Sequence, residues 1–184
     1  MRAVAAVLAA MLTVAAPAAA DIELFGGNPL LDAIKGNDLQ QIERRLAAGD
    51  PSEIEDFDGR RPLIHAALVG NADAVEILLR HGANLDHRDK LGNSALFYAA
   101  GAAYFDVVAV LLDAGAKKDL ENRQGLTPLM AAAGHGHLEV VQTLLAGGAD
   151  VTRRDYTGRT ALMWAEWNRK TAVVAALRAA GVRE

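Results

Sequence analysis

Hydrophobic and small residues recur along most of the chain with a period of 33 residues. Leucine keeps this step at five positions, namely Leu30, Leu63, Leu96, Leu129 and Leu162. Alanine recurs with the same 33-residue step three residues after each of these leucines, and glycine recurs with it at two further positions of the repeat. Four such series in one phase are not produced by chance, so the pattern indicates a tandem repeat.

Each repeat begins with a short, alanine-rich segment that predicts a first helix. Pro128 stands where such a helix begins, a position that suits proline because the first N–H groups have no partner within the helix. Ser94, Thr127 and Thr160 precede equivalent starts and predict side-chain caps. After a turn, a second helix carries apolar residues at helical spacing until a glycine such as Gly115 ends it. The pattern predicts an all-α repeat solenoid of about five helix-turn-helix repeats with short hairpin loops.

The first and last repeats differ from the others late in the second helix. A middle repeat has two leucines there, Leu111-Leu112, whereas the first has Arg45-Leu46 and the last has Leu177-Arg178. If one position faces the preceding repeat and the other the following one, each arginine stands where no neighbour exists. The sequence therefore predicts a stack capped at both ends, with approximate repeats over 26–58, 59–91, 92–124, 125–157 and 158–184.

The fourth copy resembles the ankyrin repeat. The matching runs are Thr127-Pro128-Leu129-Met130-Ala131-Ala132-Ala133 and Gly136-His137-Leu138-Glu139-Val140-Val141. The resemblance covers the chain after its leader, and it implies protein binding through the hairpin tips or through the concave face formed by the first helices. The chain departs from the family where the family usually has histidine. That position holds Ile64, Phe97, Met130 and Met163, so the hydrogen bonds of that histidine must be replaced or missing.

The first twenty residues lie outside this period. Arg2 precedes an apolar run from Ala3 to Ala16, and Ala18-Ala19-Ala20 follows. The run is about 14 residues, short of the roughly 20 that cross a bilayer, and the arrangement is typical of a cleaved secretory signal. We predict a signal peptide over 1–20, an ankyrin domain over 21–184 with no membrane span, and a periplasmic or secreted bacterial location. A helix of the folded domain and a retained anchor are the alternatives.

The sequence shows no pattern of catalytic or metal-binding residues. There is no cysteine, which excludes thiolate metal sites and cysteine nucleophiles. His135 and His137 are two apart, but a defined metal site needs three or four convergent ligands. Carboxylates that recur in the hairpins, such as Asp56 and Asp89, are interpreted as turn-forming. We predict no catalytic, cofactor or metal site, and the net charge of −4 gives no reason to expect nucleic-acid binding.

Partner binding is predicted at positions that the repeat does not need for packing. They carry arginine and aromatic residues, which are the commonest hot spots of protein interfaces. The candidates are Arg60, Lys90, Arg123, His135, Tyr156, Arg159 and Trp167. We expect an unidentified protein to bind a monomeric scaffold on its concave face, towards the C-terminal half. Docking on the hairpin tips is one alternative, and packing of Trp167 into the C-terminal cap is another.

The predicted function is therefore that of an exported scaffold for protein–protein interaction, and not that of an enzyme. Two more specific roles remain open. Some bacterial ankyrin proteins that resemble this chain are associated with catalases, which implies an accessory factor for a periplasmic enzyme of oxidative defence. The other role is that of a secreted effector that binds a host protein.

Overall fold

In the computed structural model, which describes residues 28–181, five pairs of α-helices follow one another along the chain. The helices are α1 (Pro29–Lys35), α2 (Leu39–Ala47), α3 (Pro62–Leu68), α4 (Ala72–Arg80), α5 (Ala95–Gly101), α6 (Phe105–Asp113), α7 (Pro128–His135), α8 (Leu138–Ala146), α9 (Ala161–Trp167) and α10 (Thr171–Ala179). None of the residues described is in a β-strand. The predicted all-α repeat solenoid is confirmed, and the predicted signal peptide lies outside the described residues.

Side-chain caps begin most of the first helices. Asn28 accepts hydrogen bonds from the N–H groups of Leu30 and Leu31 at the start of α1. Ser94, Thr127 and Thr160 each accept one from the residue three positions later, which confirms the three predicted caps. The start of α3 has no side-chain cap, but Pro62 occupies its first position, where the missing N–H costs nothing.

A single residue with left-handed backbone makes the sharp turn within each pair of helices. The equivalent positions are Asn37, Gly70, Ala103, Gly136 and Arg169, with φ between 56° and 90°. Asn37 explains why the first repeat tolerates Gly36-Asn37, since asparagine adopts this conformation more readily than most residues. Ala103 and Arg169 adopt it at a cost of about 1–2 kcal/mol each, because their Cβ atoms crowd the following carbonyl.

The repeats stack so that first helices pack on first helices and second helices on second helices. Leu78, Leu111, Leu144 and Leu177 occupy one equivalent position and are fully buried. The next position faces the following repeat, since Leu112 reaches Gly147. Arg45 is only half-buried and Arg178 is exposed. Both arginines therefore lie where the prediction of two capped ends requires.

Backbone hydrogen bonds also join the hairpin turns that precede successive first helices. The N–H groups of Lys90, Arg123 and Tyr156 donate to the carbonyls of Asp58, Leu91 and Gln124 respectively, over 2.9–3.1 Å. These bonds hold the turns in a row beside the first helices. Within residues 28–181, no helix has the length and apolar character to cross a bilayer.

Candidate protein-binding face

A ladder of polar side chains, buried in three repeats and half-buried at Asp56, organises the hairpin turns that precede the first helices. Its members, 33 residues apart, are Asp56, Asp89, Asn122 and Asp155. Each uses its Oδ1 atom to accept two backbone N–H groups of its own turn, over 2.8–3.0 Å. This confirms the interpretation of Asp56 and Asp89 as turn-forming residues.

The second carboxylate oxygen of each aspartate pairs with a ring nine residues later, on the first helix. Asp56 Oδ2 lies 3.0 Å from His65 Nε2. The Tyr98 hydroxyl donates to Asp89 over 2.6 Å, and the Trp164 indole N–H donates to Asp155 over 2.9 Å. His65, Tyr98 and Trp164 therefore form a row of rings along the stack. They replace the histidine of the family pattern, one position further along the helix.

These hydrogen bonds favour the ionised form of two of the carboxylates, Asp56 and Asp155. Burial by itself raises the pKa of Asp155, but donors on Thr157, Arg159 and Trp164 stabilise the anion and the pKa is lowered. The pKa of Asp56 is lowered in the same way, against the effect of burial, by two backbone N–H groups and His65. Burial and the Asp89 carboxylate together raise the pKa of Tyr98, which remains a hydrogen-bond donor.

The fourth repeat lacks the ring. Ala131 stands at the position of Tyr98 and Trp164, and Asn122 stands at the position of the aspartates. Asn122 Nδ2 donates to Asn93 Oδ1 over 3.0 Å, so its second polar atom is satisfied without a ring. A carboxylate here would have a buried oxygen without the ring donor found in the other repeats. Sequence reasoning missed this coupling, although the paired change from Asp to Asn and from a ring to Ala is visible in the repeat alignment.

A groove of about 620 Å³ lies on the concave face where the ring is missing. Small residues form its floor, namely Gly101, Ala102, Ala131 and Gly134, and larger apolar residues surround them, namely Leu68, Phe97, Tyr98, Leu126, Met130 and Trp164. The floor lacks large side chains because glycine occupies two positions that are Leu68 in the second repeat and Trp167 in the fifth. None of these apolar residues is distinctive in the sequence, because each is an ordinary residue of a helix or, for Leu126, of a hairpin when it is considered alone.

Arg159 links the two tryptophans at the C-terminal side of this groove. Its guanidinium carbon lies 5.2 Å from the ring centroid of Trp164 and 4.8 Å from that of Trp167. Trp167 remains 69% exposed, so it is not packed into the C-terminal cap. Cation–π contacts of this kind orient both partners. The structure thus brings together two of the predicted binding residues, Arg159 and Trp167, beside Trp164.

The other predicted residues occupy three different surroundings. Lys90, Arg123 and Tyr156 are exposed in the row of hairpin turns. Arg60 has a partly structural role. Its Nη1 atom lies 3.0 Å from Asp58 Oδ2, and its guanidinium carbon lies 5.8 Å from the centre of the Tyr98 ring.

His135 borders the groove, where its Nδ1 atom lies 2.8 Å from the Ala131 carbonyl oxygen and its ring stacks on that of His137. His137 Nε2 lies 2.9 Å from the carbonyl oxygen of Gly101, so both rings are engaged with the backbone. Across residues 28–181, no three histidine or carboxylate side chains converge as metal ligands would.

Charge is distributed unevenly between the two sides of the stack. The second helices α4, α6 and α8 expose five carboxylates, Asp73, Glu76, Asp106, Asp113 and Glu139, and one base, Arg80. On the concave side, neither Arg159 nor Lys170 belongs to any ion pair of the described residues. The concave side therefore presents cations and aromatic rings although the whole chain is acidic.

One family model, described as ankyrin repeats in three copies, matches residues 30–122 and residues 114–183. The two matches together cover nearly the whole of the helical stack. No curated protein matches the chain.

Proposed function

We propose, from the premise that this chain belongs to the ankyrin-repeat family, that it is an exported scaffold that binds a protein partner through its concave face. Proteins of this family generally mediate protein–protein interaction and are typically not enzymes. The single observation that carries the choice of face is the contact of Arg159 with Trp164 and Trp167 beside an apolar groove.

This cluster has the properties of an interface hot spot. Trp167 exposes a large apolar ring to solvent, and a partner that covers the ring would gain binding free energy because apolar surface is removed from water. Its contact with Arg159 limits the motion of both side chains, which lowers the entropy lost when a partner binds. Tryptophan and arginine carry most of the binding energy in many interfaces.

Export is the other half of the proposal and is supported by the leader. Arg2, the apolar run Ala3 to Ala16, and Ala18-Ala19-Ala20 have the three parts of a secretory signal. A chain without cysteine needs no disulfide to fold outside the cytoplasm, because the stack is stabilised by packing and hydrogen bonds.

Affinity capture from periplasmic extract tests the scaffold and its face together. The bait is the chain in three forms: wild type, Trp167→Ala with Arg159→Ala, and Arg153→Ala with Arg154→Ala. The wild type and the variant at Arg153 and Arg154 should retain the same partner. The variant at Arg159 and Trp167 should bind it at least about 30-fold more weakly, as the loss of a hot spot of about 2 kcal/mol predicts.

The thermal midpoint of each bait, followed by circular dichroism, separates binding from folding. It should stay nearly unchanged in both double variants. Retention of the partner by the variant at Arg159 and Trp167, with loss in the variant at Arg153 and Arg154, would assign binding to the hairpin side. Unfolding of the last repeat by Trp167→Ala alone would show that Trp167 is a cap residue.

A further inference from the structure

We infer that the missing ring of the fourth repeat is a socket for a bulky apolar side chain of the partner, and that this side chain belongs to an acidic segment. The inference rests on the proposed function, and it adds the chemistry of the segment that binds. The socket is the part of the groove that is floored by Ala131, Gly101 and Gly134 and lies between Tyr98 and Trp164.

The groove that contains the socket has the size and apolar lining of a binding cleft. The groove measures about 620 Å³, within the range of roughly 300–1,000 Å³ that ligand-binding clefts occupy. A methyl group on Gly101 would lie 3.8 Å from the Cβ atom of Ala131. Because residues 101 and 134 are glycines and residue 131 is alanine, these three positions contribute only backbone and one methyl group to the floor. Tyr98 and Trp164 both line the groove, and aromatic rings pack well against an inserted ring.

The fold does not need the socket to be filled by its own residues. Asn122 is satisfied by Asn93 and by two backbone N–H groups, and Ala131 is buried at 8% exposure. The fourth repeat is thus complete without a ring. Ala131 itself is covered, but Gly101 and Gly134 are half-buried and Ala102 is exposed, so water covers this part of the groove in the free protein. An inserted apolar side chain would displace that water.

The charges beside the socket decide which kind of segment carries the side chain. Lys170 borders the groove, and Arg159 contacts Trp164 at the same side. Neither forms an ion pair with any residue of the described stack. Carboxylates adjacent to the apolar residue would pair with these cations, whereas lysines in the same places would be repelled.

Three synthetic peptides without tryptophan test this inference, and each carries a fluorescein label. The central sequences are Glu-Glu-Phe-Glu-Glu, Glu-Glu-Ala-Glu-Glu and Lys-Lys-Phe-Lys-Lys. Binding is followed by anisotropy and by the emission of the two tryptophans of the chain, both of which lie on this face. The acidic phenylalanine peptide should bind at least about 10-fold more tightly than either of the others, a difference of about 1.4 kcal/mol.

Gly134→Leu fills the socket from within. The fold should accept it, because Leu68 occupies the equivalent position in the second repeat and a Cβ atom at Gly134 would meet only ordinary contacts, the nearest at 3.5 Å. It should weaken the acidic phenylalanine peptide at least about 10-fold, a loss of about 1.4 kcal/mol. Gln142→Leu is the matched control, since it adds the same side chain on the outer helix of the same repeat and should leave binding unchanged.

Lys170→Glu provides a second variant that does not touch the floor. It should weaken the acidic peptide and strengthen the lysine peptide. Equal binding of the three peptides, or unchanged binding by Gly134→Leu, would overturn the inference. If the peptides fail in this way while the captured partner still depends on Arg159 and Trp167, the inference is wrong and the proposed function stands. If the partner does not depend on those two residues, the proposed face is wrong.

Discussion

Single carboxylates in this protein organise a turn and a helix at the same time. Asp155 Oδ1 accepts the N–H groups of Thr157 and Arg159, and its Oδ2 accepts the indole N–H of Trp164. The residue is 5% exposed, so few water molecules can replace a lost donor. The stability of the hairpin and the position of the ring are therefore coupled through one side chain.

Trp164→Phe should lower the free energy of unfolding by about 1–3 kcal/mol, because it leaves a buried carboxylate oxygen without its donor. The double variant Trp164→Phe with Asp155→Asn should be less destabilised than this single variant. The double variant removes the unpaired charge. Its combination of asparagine with a residue that cannot donate is the one found in the fourth repeat, where Asn122 and Ala131 hold these two positions. Urea denaturation measures both. A double variant that is as unstable as the sum of the two single variants would contradict the coupling.

His65 makes the stability depend on pH. Burial lowers its pKa, and the effects of Lys35 and Arg60 act in the same direction, although Asp56 acts to raise it. The unfolded chain, with a histidine pKa of about 6.5, takes up a proton before the folded chain does. The free energy of unfolding should therefore fall as the pH falls from about 6.5 towards the lowered pKa of the folded state.

Replacing His65 with glutamine isolates this effect, since glutamine can donate to Asp56 and does not titrate. Thermal midpoints measured at about pH 7.5 and about pH 5.5 should differ less in His65→Gln than in the wild type. Asp56 affects the stability in a separate, more acidic pH range. Because its pKa is lowered in the folded state, its contribution to the free energy of unfolding is present above about pH 3.8 and is lost as the pH falls through the pKa of the folded state. An equal pH dependence of both proteins would exclude His65 as the cause.

At the scale of elements, each second helix uses two adjacent positions for its contacts with its neighbours. From the second repeat onwards, the first position, which includes Leu111, is fully buried, and the second, which includes Leu112, packs on the following repeat. In the last pair of helices that the structure describes, Arg178 occupies the second position and is exposed. The array is stabilised by the interfaces between neighbouring repeats. The loss of stability caused by a substitution should therefore depend on how much of such an interface the replaced side chain forms.

Leu111→Ala should reduce the free energy of unfolding by about 2–5 kcal/mol, because it leaves a cavity between repeats. Arg178→Leu should change it by less than about 1 kcal/mol. The arginine is exposed and loses only its ion pair with Glu166, at 2.7 Å, and surface pairs of this kind contribute little. Chemical denaturation of the two variants provides the comparison, and similar losses would show that the end of the stack is assigned wrongly.

At the scale of the whole molecule, charge is distributed unevenly over the central and C-terminal repeats. The exposed carboxylates of α4, α6 and α8 lie on the outer side, and Arg159, Lys170 and the rings lie beside the groove on the concave side, although Arg44 and Arg178 are exposed on the second helices at the two ends of the stack. A net charge of −4 does not reveal this local difference. An acidic partner would be attracted to one side and repelled by the other, which gives its approach a preferred orientation.

The proposal of export makes a prediction about the whole chain. The mature protein should begin at Asp21, because the small residues Ala18 and Ala20 fit the site that signal peptidases cut. Mass spectrometry of the intact protein purified from the periplasm or the medium measures this directly. A cytoplasmic protein that retains residues 1–20 would contradict it.

The sequence by itself determined the repeat and the paired helices of residues 28–181. Equivalent residues such as Leu63, Leu96 and Leu129 occupy equivalent surroundings, so the period of the pattern is the period of the structure. The caps at Ser94 and Thr127 could also be predicted, because a cap depends only on the three residues that follow it. Arg159 and Trp167 were selected as partner-binding residues, which stays a prediction, and their contact with each other was not foreseen.

Only the tertiary structure decided where the groove lies. Tyr98, Ala131 and Trp164 are 33 residues apart along the chain, and stacking alone makes them neighbours. Alanine at one of these positions is unremarkable within its own helix, which is alanine-rich throughout. It becomes a socket because the adjacent repeats place large rings on both sides of it. The shape of a concave surface depends on the difference in size between neighbouring side chains.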